Sequence, residues 1–186
     1  MRADSQNRRR CPICDNEKSD ALGKILHPSP TFIAGSLVDL GDTNFELRRC
    51  GHCMFQFKDP VVPETMLKEC YANSSEDFWG RSTTDSTQRF QEMTALLGIF
   101  DPGRTILDIG CHNGSFLRNI KQEHIRFGIE PSQRAAQQAA SHGINILGKS
   151  IFDVDPKFHQ FDRITVMDVV EHVVEPLPFL ARARDL

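Results

Sequence analysis

The chain has 186 residues, 39% of them apolar and 13 of them Phe, with a formal net charge of −3 at pH 7. This is enough for one medium domain plus a small module, and the acidic balance offers no general attraction to nucleic acid or anionic lipid. No window approaches the roughly 18 consecutive apolar residues of a membrane span, and the opening "MRADSQNRRRCPIC" lacks the apolar stretch of a secretory signal.

The cytoplasm is therefore the expected compartment, where paired cysteines read as metal ligands or redox groups before disulfides. Residues 1–10 read as a disordered tail, with the basic run Arg8-Arg9-Arg10 solvated. Residues 11–58 carry two C-x-x-C pairs, Cys11/Cys14 and Cys50/Cys53, with 35 residues between Cys14 and Cys50. Each pair can present two sulfurs from one tight turn, and "CPIC" and "CGHC" contain the Pro and Gly that such turns favour. Together they predict a four-thiolate zinc site, with His27 and His52 as weaker substitutes and two reducible thiol pairs as the rival reading. The linker between the pairs, short apolar runs broken by turn residues, predicts short strands. A ribbon of this size is too small to bury a core alone, so the ion is expected to hold it together.

Residues 59–85 form a joint. "KDPVVPE" is proline-rich, Pro63 can open a helix over "ETMLKECYA", and a polar stretch follows that contains Phe78 and Trp79. From residue 86 to 186 the pattern changes. Phe90, Met93, Leu96, Leu97 and Phe100 recur at helical spacing. "TILDIG" then reads as a strand, "SFLRNIKQEH" as a helix and "IRFGIE" as a strand. "SQRAAQQAASHG" reads as a helix ending at Gly143, "INIL" and "FDRITVMD" as strands, and "PLPFLARARDL" as another helix. Such alternation implies βαβ units, a parallel sheet of four strands and helices on its faces.

Ligands of such sheets sit beyond the carboxyl ends of the strands, where the turn "DIGCHNG" falls. Gly110 and Gly114 allow close backbone approach, and the helix expected next would aim free N–H groups at the same place. The sequence is not G-x-G-x-x-G, because His112 and Ser115 stand in two of its places, and no Lys-Ser or Lys-Thr completes a phosphate loop. Glu130, 20 residues after Gly110 at the next strand tip, suits a pair of ribose hydroxyls. Its plainer reading is a solvated loop acid.

"ILDIGCHNGSFL", "FGIEPSQRAAQQAASHGI" and "FDRITVMDVVEHVVEPLPFL" resemble, in order, three motifs of class I S-adenosylmethionine-dependent methyltransferases. The resemblance implies a Rossmann-like sheet. It also implies that Asp108 and the turn Gly110, Cys111, His112 and Gly114 hold the methionine part of the cofactor. Cys111 itself reads as a small packing residue. Glu130 and Pro131 would meet the ribose, Ser150 would lie near the adenine, and Met167 and Asp168 would stand beside the reactive methyl. The family carries Gly where His112 stands, a substitution that a left-handed backbone tolerates in histidine.

"MDVVEHV" has two readings. Glu171 and His172 either cap and hydrogen-bond the turn or act in catalysis. As a catalytic group, His172 would be a general base, or Asp168, Glu171 and His172 would ligate a divalent ion, as the similar cluster does in some small-RNA 3′-end and ubiquinone-pathway methyltransferases. The N-terminal "CPICD…RRCGHCMFQFKDP" is similar to the ribbon of proteins that include sugar C-methyltransferases. That resemblance implies a small-molecule acceptor, such as a sugar nucleotide or natural-product intermediate, and a lid role for Tyr71, Phe78 and Trp79. Simple packing is the alternative for these aromatics.

The family sheet carries further strands after the four read here. The expectation is thus a C-terminally truncated methyltransferase whose fourth strand is an open edge, available to a partner or to self-association. Two rivals are a cofactor-binding remnant without turnover, and a nucleic-acid module using Arg8 to Arg10, Arg48 and Arg49. The acidic total counts against the second.

Overall fold

The computed structural model describes residues 10–74, 86–98, 102–157 and 160–186. Most of the expected tail, together with Phe78, Trp79 and Phe100, lies outside them. The chain divides into two compact units, one reaching Ser74 and including Val174–Pro178, the other comprising Ser75–Val173 and Phe179–Leu186. No described helix is long and apolar enough to cross a membrane.

In the first unit β1 (Ser19–Ile25), β4 (Phe45–Cys50) and β5 (Gln56–Asp59) form an antiparallel sheet in the order β1-β4-β5, and β2 (Thr31–Ile33) pairs with β3 (Ser36–Val38). Ala34 and Gly35 both have positive φ, 49° and 83°, as a two-residue hairpin turn of the primed type requires. A core does form here. Val38, Leu40, Phe45, Val62 and Cys70 are buried together, and Met66, Leu67 and Tyr71 of α1 (Glu64–Ala72) pack against them. Tyr71 is thus part of an apolar cluster.

The second unit is built on a parallel sheet in the order β8-β7-β6-β9: β6 (Thr105–Ile109), β7 (Ile125–Ile129), β8 (Asn145–Gly148) and β9 (Arg163–Val166). Side chains alternate across it with the strand period of two. Leu107, Ile109, Ile129, Ile164 and Val166 face a core closed by Phe179 and Ala183 of α4 (Pro176–Arg184). Ile106 and Ile146 belong to the opposite core, with Phe90 and Met93 of α2 (Ser86–Leu96) and Ala139 of α3 (Gln133–Ser141). Helix α3 ends in a Schellman motif. Gly143, at φ +75°, bonds to Ala140 O, and the N–H of Ile144 reaches Ala139 O at 3.4 Å.

One expected helix is absent. After the turn that follows β6, the chain makes only a 3-10 turn at Leu117–Asn119. The side-chain amide of Asn119 donates to Ser115 O at 2.8 Å, and the Asn119 N–H turns to Phe116 O instead. A side chain that occupies the carbonyl needed by the i→i−4 ladder competes with the helix. The apolar residues of that stretch still bury as their pattern requires: Phe116, Leu117 and Ile120 lie in the α2/α3 core. Among the described residues no strand pairs with the outer side of β9.

Gly114 sits at φ +76°, and a Cβ there would fall 2.2 Å from Ile144 Cδ1 and 3.3 Å from Ala139 Cβ. Gly114→Ala is therefore expected to lower stability by about 1–3 kcal/mol, from forced φ and overpacking together. In a double-mutant cycle by urea denaturation, Ile144→Val should reduce the loss without abolishing it, since the backbone part remains.

Candidate functional site

Strand β6 stands between β7 and β9, so the chain leaves its carboxyl end in one direction to reach β7 and returns on the other side as β9. This is a switch point, where open α/β sheets form their ligand crevice. The turn at that end is tied down by backbone bonds. Gly110 N and Cys111 N both donate to Ile129 O, at 2.8 and 3.2 Å. Gly110, His112 and Gly114 all have positive φ, at 80°, 48° and 76°, so His112 adopts the left-handed backbone that its position demands.

Glu130 closes the arrangement from the tip of β7. Its Oε2 accepts from His112 N at 2.8 Å and its Oε1 from Ser132 N at 2.8 Å. The carboxylate points at the β6 turn and is buried, with 6% of its surface exposed, which rules out the solvated-acid reading. Burial raises its affinity for a proton, against the pull of the two N–H donors.

The glycines act differently from the expectation of an open backbone. A Cβ on Gly110 would meet Val169 Cγ2 at 2.5 Å, and one on Gly114 would meet Ile144. The missing side chains make room for protein, bringing the loop after β9 onto the turn.

Asp108 lies on the same face of β6 as Ile106. In register beside it stand Gly128 on β7 and Thr165 on β9. Thr165 Oγ1 donates to Asp108 Oδ1 at 2.7 Å. Burial pushes this carboxyl up to about 7, the Thr165 hydroxyl opposes that shift, and the nearby Glu130 charge adds to it. Gly128 leaves a gap that Cys111 fills, since a Cβ at Gly128 would fall 2.4 Å from the Cys111 sulfur. The Cys111 thiol, expected from the sequence to lie in the cofactor turn, is turned into the core and raised far above its usual range by burial and the two carboxylates. Sequence reasoning missed Thr165 and Gly128. The signal for Thr165 was present: an acid inside an apolar strand requires a donor, and Thr165 is the one hydroxyl of "RITV".

Met167 packs against the α2/α3 core. Asp168, at φ +53°, is paired with Arg89 of α2, whose Nη2 lies 3.3 and 3.2 Å from its two oxygens. Glu171 and His172 are exposed on a 3-10 turn at Val170–His172. Asp168, Glu171 and His172 do not assemble into a cation site, because among the described residues the four cysteines form the one group of three or more ligand side chains close enough for an ion. Ser150 caps a short turn: its Oγ accepts from Phe152 N, while Asp153 Oδ2 accepts from Lys149 N and Ser150 N. Pro131 stands, half-buried, between Glu130 and the Ser132 whose N–H that carboxylate accepts.

In the first unit the two cysteine pairs form matching knuckles. Asp15 N bonds to Cys11 O and Met54 N to Cys50 O, while Ile13 N points at Cys11 Sγ and His52 N at Cys50 Sγ. Asp15 and Met54, each following a second cysteine, have φ of 58° and 64°. Cys14 and Cys50 sulfurs are 3.4 Å apart, Cys11 and Cys53 sulfurs 3.6 Å, and all four lie within 4.8 Å of one another. Four thiolates at ~2.3 Å from one tetrahedral ion would be ~3.8 Å apart. The N–H groups of Cys53 and His52 draw the Cys50 thiol down to about 6, against burial, whereas, against the Asn16 N–H, burial and the neighbouring sulfurs push Cys14 up to about 12, so among the crowded sulfurs Cys50 is the first to become a thiolate. Arg10 of the basic run is taken up by Asp15 and Glu17, and Arg48 by Glu46 and Ser19.

A family model described as a methyltransferase domain matches residues 84–186, which include all of β6 to β9 and the turn beside Glu130. The chain belongs to the methyltransferase domain family. The ubiquinone biosynthesis O-methyltransferase of Serratia proteamaculans is 32% identical to this chain over 89 residues, covering 42% of this chain and 35% of that protein. The tRNA U34 carboxymethyltransferase of Pseudoalteromonas translucida is 33% identical over 100 residues, covering 48% and 31%. The chain thus spans about a third of the length of the curated relatives it matches. Magnesium protoporphyrin IX methyltransferase from Synechocystis PCC 6803, solved with bound S-adenosylmethionine, superimposes with a TM-score of 0.52 at 17% identity, covering 63% of this chain and 68% of that one. The shared architecture is the class I methyltransferase fold.

The raised Asp108 carboxyl has a stability consequence. Below about pH 3.8 it is protonated in both the folded and unfolded chains. Between that point and about pH 7 only the unfolded chain has released the proton, so stability falls as pH rises across this window. Asp108→Asn should flatten that fall, as read from urea midpoints by circular dichroism at a series of pH values.

Proposed function

We propose that the second unit binds S-adenosylmethionine over the tips of β6 and β7 and transfers its methyl group to a small-molecule acceptor, such as a sugar nucleotide or natural-product intermediate. The observation that carries this reading is the Glu130 carboxylate aimed at the β6 turn. A carboxylate offers about four lone-pair positions, and two accept N–H donors here. The remaining pair matches two vicinal ribose hydroxyls, so the residues present fit the nucleoside. The buried acids Asp108 and Glu130 also suit a positively charged ligand.

S-adenosylmethionine supplies an electrophilic methyl on a sulfonium, so positioning accounts for most of the catalysis. Glu130 orients the ribose, and the strapped turn from Gly110 to Gly114 fixes the floor of the site. Met167 and Asp168, at the end of β9, border the place where the acceptor arrives. His172, exposed beside Glu171, is the group to take a proton from an acceptor hydroxyl. An O-methyltransferase among the relatives supports an oxygen acceptor. The four cysteines of the first unit would hold one structural zinc ion, with Cys11, Cys14, Cys50 and Cys53 as its ligands.

A second reading, cofactor binding without turnover and with a partner on the free edge of β9, draws on the unpaired side of that strand among the described residues. The nucleic-acid reading loses support from Arg10 and Arg48, whose charges are already paired within the first unit.

Titration calorimetry with S-adenosylmethionine tests the first reading. Glu130→Ala should weaken binding by tenfold or more, from the loss of charged hydrogen bonds of about 1.5–3 kcal/mol. Methyl transfer to hydroxylated acceptors should then fall sharply in His172→Ala at unchanged cofactor affinity. Binding without transfer across a broad acceptor panel would favour the second reading. Metal analysis should find one zinc per chain, lost in Cys14→Ser and on chelation, with hydrogen-exchange protection falling in β1 and β4 and unchanged in β6 and β7.

A further inference from the structure

The two cysteine knuckles face each other because the sheet sets them so. The first knuckle runs through residues 16–18 into β1, the second begins at Cys50, the last residue of β4, and Ser19 stands opposite Cys50 in the antiparallel register. Gly51 N donates to Lys18 O at 3.0 Å, and a Cβ at Gly51 would lie 3.5 Å from that same oxygen, so the turns meet backbone to backbone. Their contact is reciprocal: the first cysteine of each approaches the second cysteine of the other. Cys14 Sγ is 3.4 Å from Cys50 Sγ, and Cys11 Sγ is 3.6 Å from Cys53 Sγ. Both close pairs cross between knuckles, and neither lies within a C-x-x-C sequence. Exposure divides each pair in the same way. Cys11 and Cys50 are buried, at 3% and 0%, whereas Cys53 is exposed and Cys14 half-buried. Each close pair therefore joins one sulfur that solvent reaches to one that it does not.

We propose that the four cysteines are a reversible oxidation site for hydroperoxides, in which Cys14 bonds to Cys50 and Cys11 to Cys53, so that two disulfides across the knuckles take over from the zinc ion in holding the first unit folded. This rests on the reading of these cysteines as zinc ligands. The chemistry begins on the accessible member of each pair. The Cys53 or Cys14 sulfur attacks an oxygen of the hydroperoxide: an S–O bond forms, the O–O bond breaks, and an alcohol leaves, or water where the oxidant is hydrogen peroxide. The buried partner, Cys11 or Cys50, then attacks the sulfenic sulfur: the S–S bond forms, the S–O bond breaks, and hydroxide leaves as water. Two sulfurs are thus oxidised by two electrons and one hydroperoxide is reduced by two. The protons of the products come from the thiols, or from solvent where the sulfur is a ligating thiolate. Closing either pair to the ~2.05 Å of a disulfide draws its sulfurs together by about 1.5 Å. The thiolate is the metal ligand, so the ion departs as the bonds form. The pairing decides what becomes of the fold. Bonds within each C-x-x-C would let the knuckles separate once the ion is gone. Bonds between them close the 35 residues between Cys14 and Cys50 into a covalent loop and keep β1 on β4.

Hydrogen peroxide added to the reduced, zinc-loaded full chain should release the zinc, as followed with a chromophoric chelator, and a thiol reductant with fresh zinc should restore binding. Trypsin cleaves after Arg10, Lys18, Arg49 and Lys58, which isolates each knuckle on its own peptide, 11–18 and 50–58. Nonreducing mass spectrometry should find these two peptides joined, with fragmentation assigning Cys14 to Cys50 and Cys11 to Cys53. Cys70 and Cys111, both buried, should remain thiols that alkylate after unfolding. Hydrogen exchange in β1 and β4 should stay within about twofold of the zinc-loaded rate after oxidation, against a rise of about tenfold or more when the reduced chain is chelated. Disulfides confined to 11–18 or 50–58, a bond from Cys11 to Cys50, sulfinic acids in place of disulfides, or exchange as fast as in the chelated chain overturns the proposal and leaves the zinc reading standing. A reduced chain that takes up no zinc yet forms the two crossed disulfides overturns the zinc reading alone.

Discussion

The second unit depends on one carboxylate. Glu130 takes an N–H from the turn after β6 and another from the start of α3, so two loops that have no sequence contact share an anchor. Gly110 N and Cys111 N on Ile129 O reinforce the same join from below. Unmade, each of these buried bonds would leave a polar group without water, at a cost of about 1–3 kcal/mol. The turn is consequently held whether or not a ligand is present, and a rigid floor is what a reaction governed by alignment requires.

The sheet makes that floor possible by separating two tasks across its faces. The Leu107/Ile109 face packs apolar against α4. The Ile106 face is apolar at one end and carries Asp108 at the other, where Thr165 and Gly128 flank it in register. A slip of one residue in β6 would exchange the two faces and set Asp108 in the α4 core without its donor. The first unit solves a smaller problem with sulfur. Its two knuckles repeat one backbone turn, and the strand β4 that carries Phe45 into the apolar cluster ends at Cys50 in the sulfur cluster.

Much of this was legible in the sequence. The alternation of apolar runs and turn residues gave the four parallel strands, because strand burial on both sides imposes continuous apolar stretches. Glu130 was found by its distance from Gly110, since one βαβ step brings neighbouring tips together. The paired cysteines were legible because C-x-x-C spacing is a local geometry. What escaped depended on contacts between distant residues. The Asn119 side chain competes for a carbonyl that no periodicity reveals, so a helix was expected where a 3-10 turn forms. Val169 against Gly110 and Ile144 against Gly114 are long-range fits, and from sequence alone those glycines read as space for a ligand. Asp168, Glu171 and His172 fall within five residues of chain, yet one pairs with Arg89 and the others are exposed on the next turn.

The sulfur of Cys111 stands in the volume that Gly128 vacates. Two positions on different segments therefore divide a single allotment of space, and neither is free to vary alone. A lineage that gained a methyl group on the strand would have to give up the thiol on the turn. Homologous chains should accordingly trade bulk between these sites in opposite directions, a compensating signature that no reading of either segment by itself would disclose.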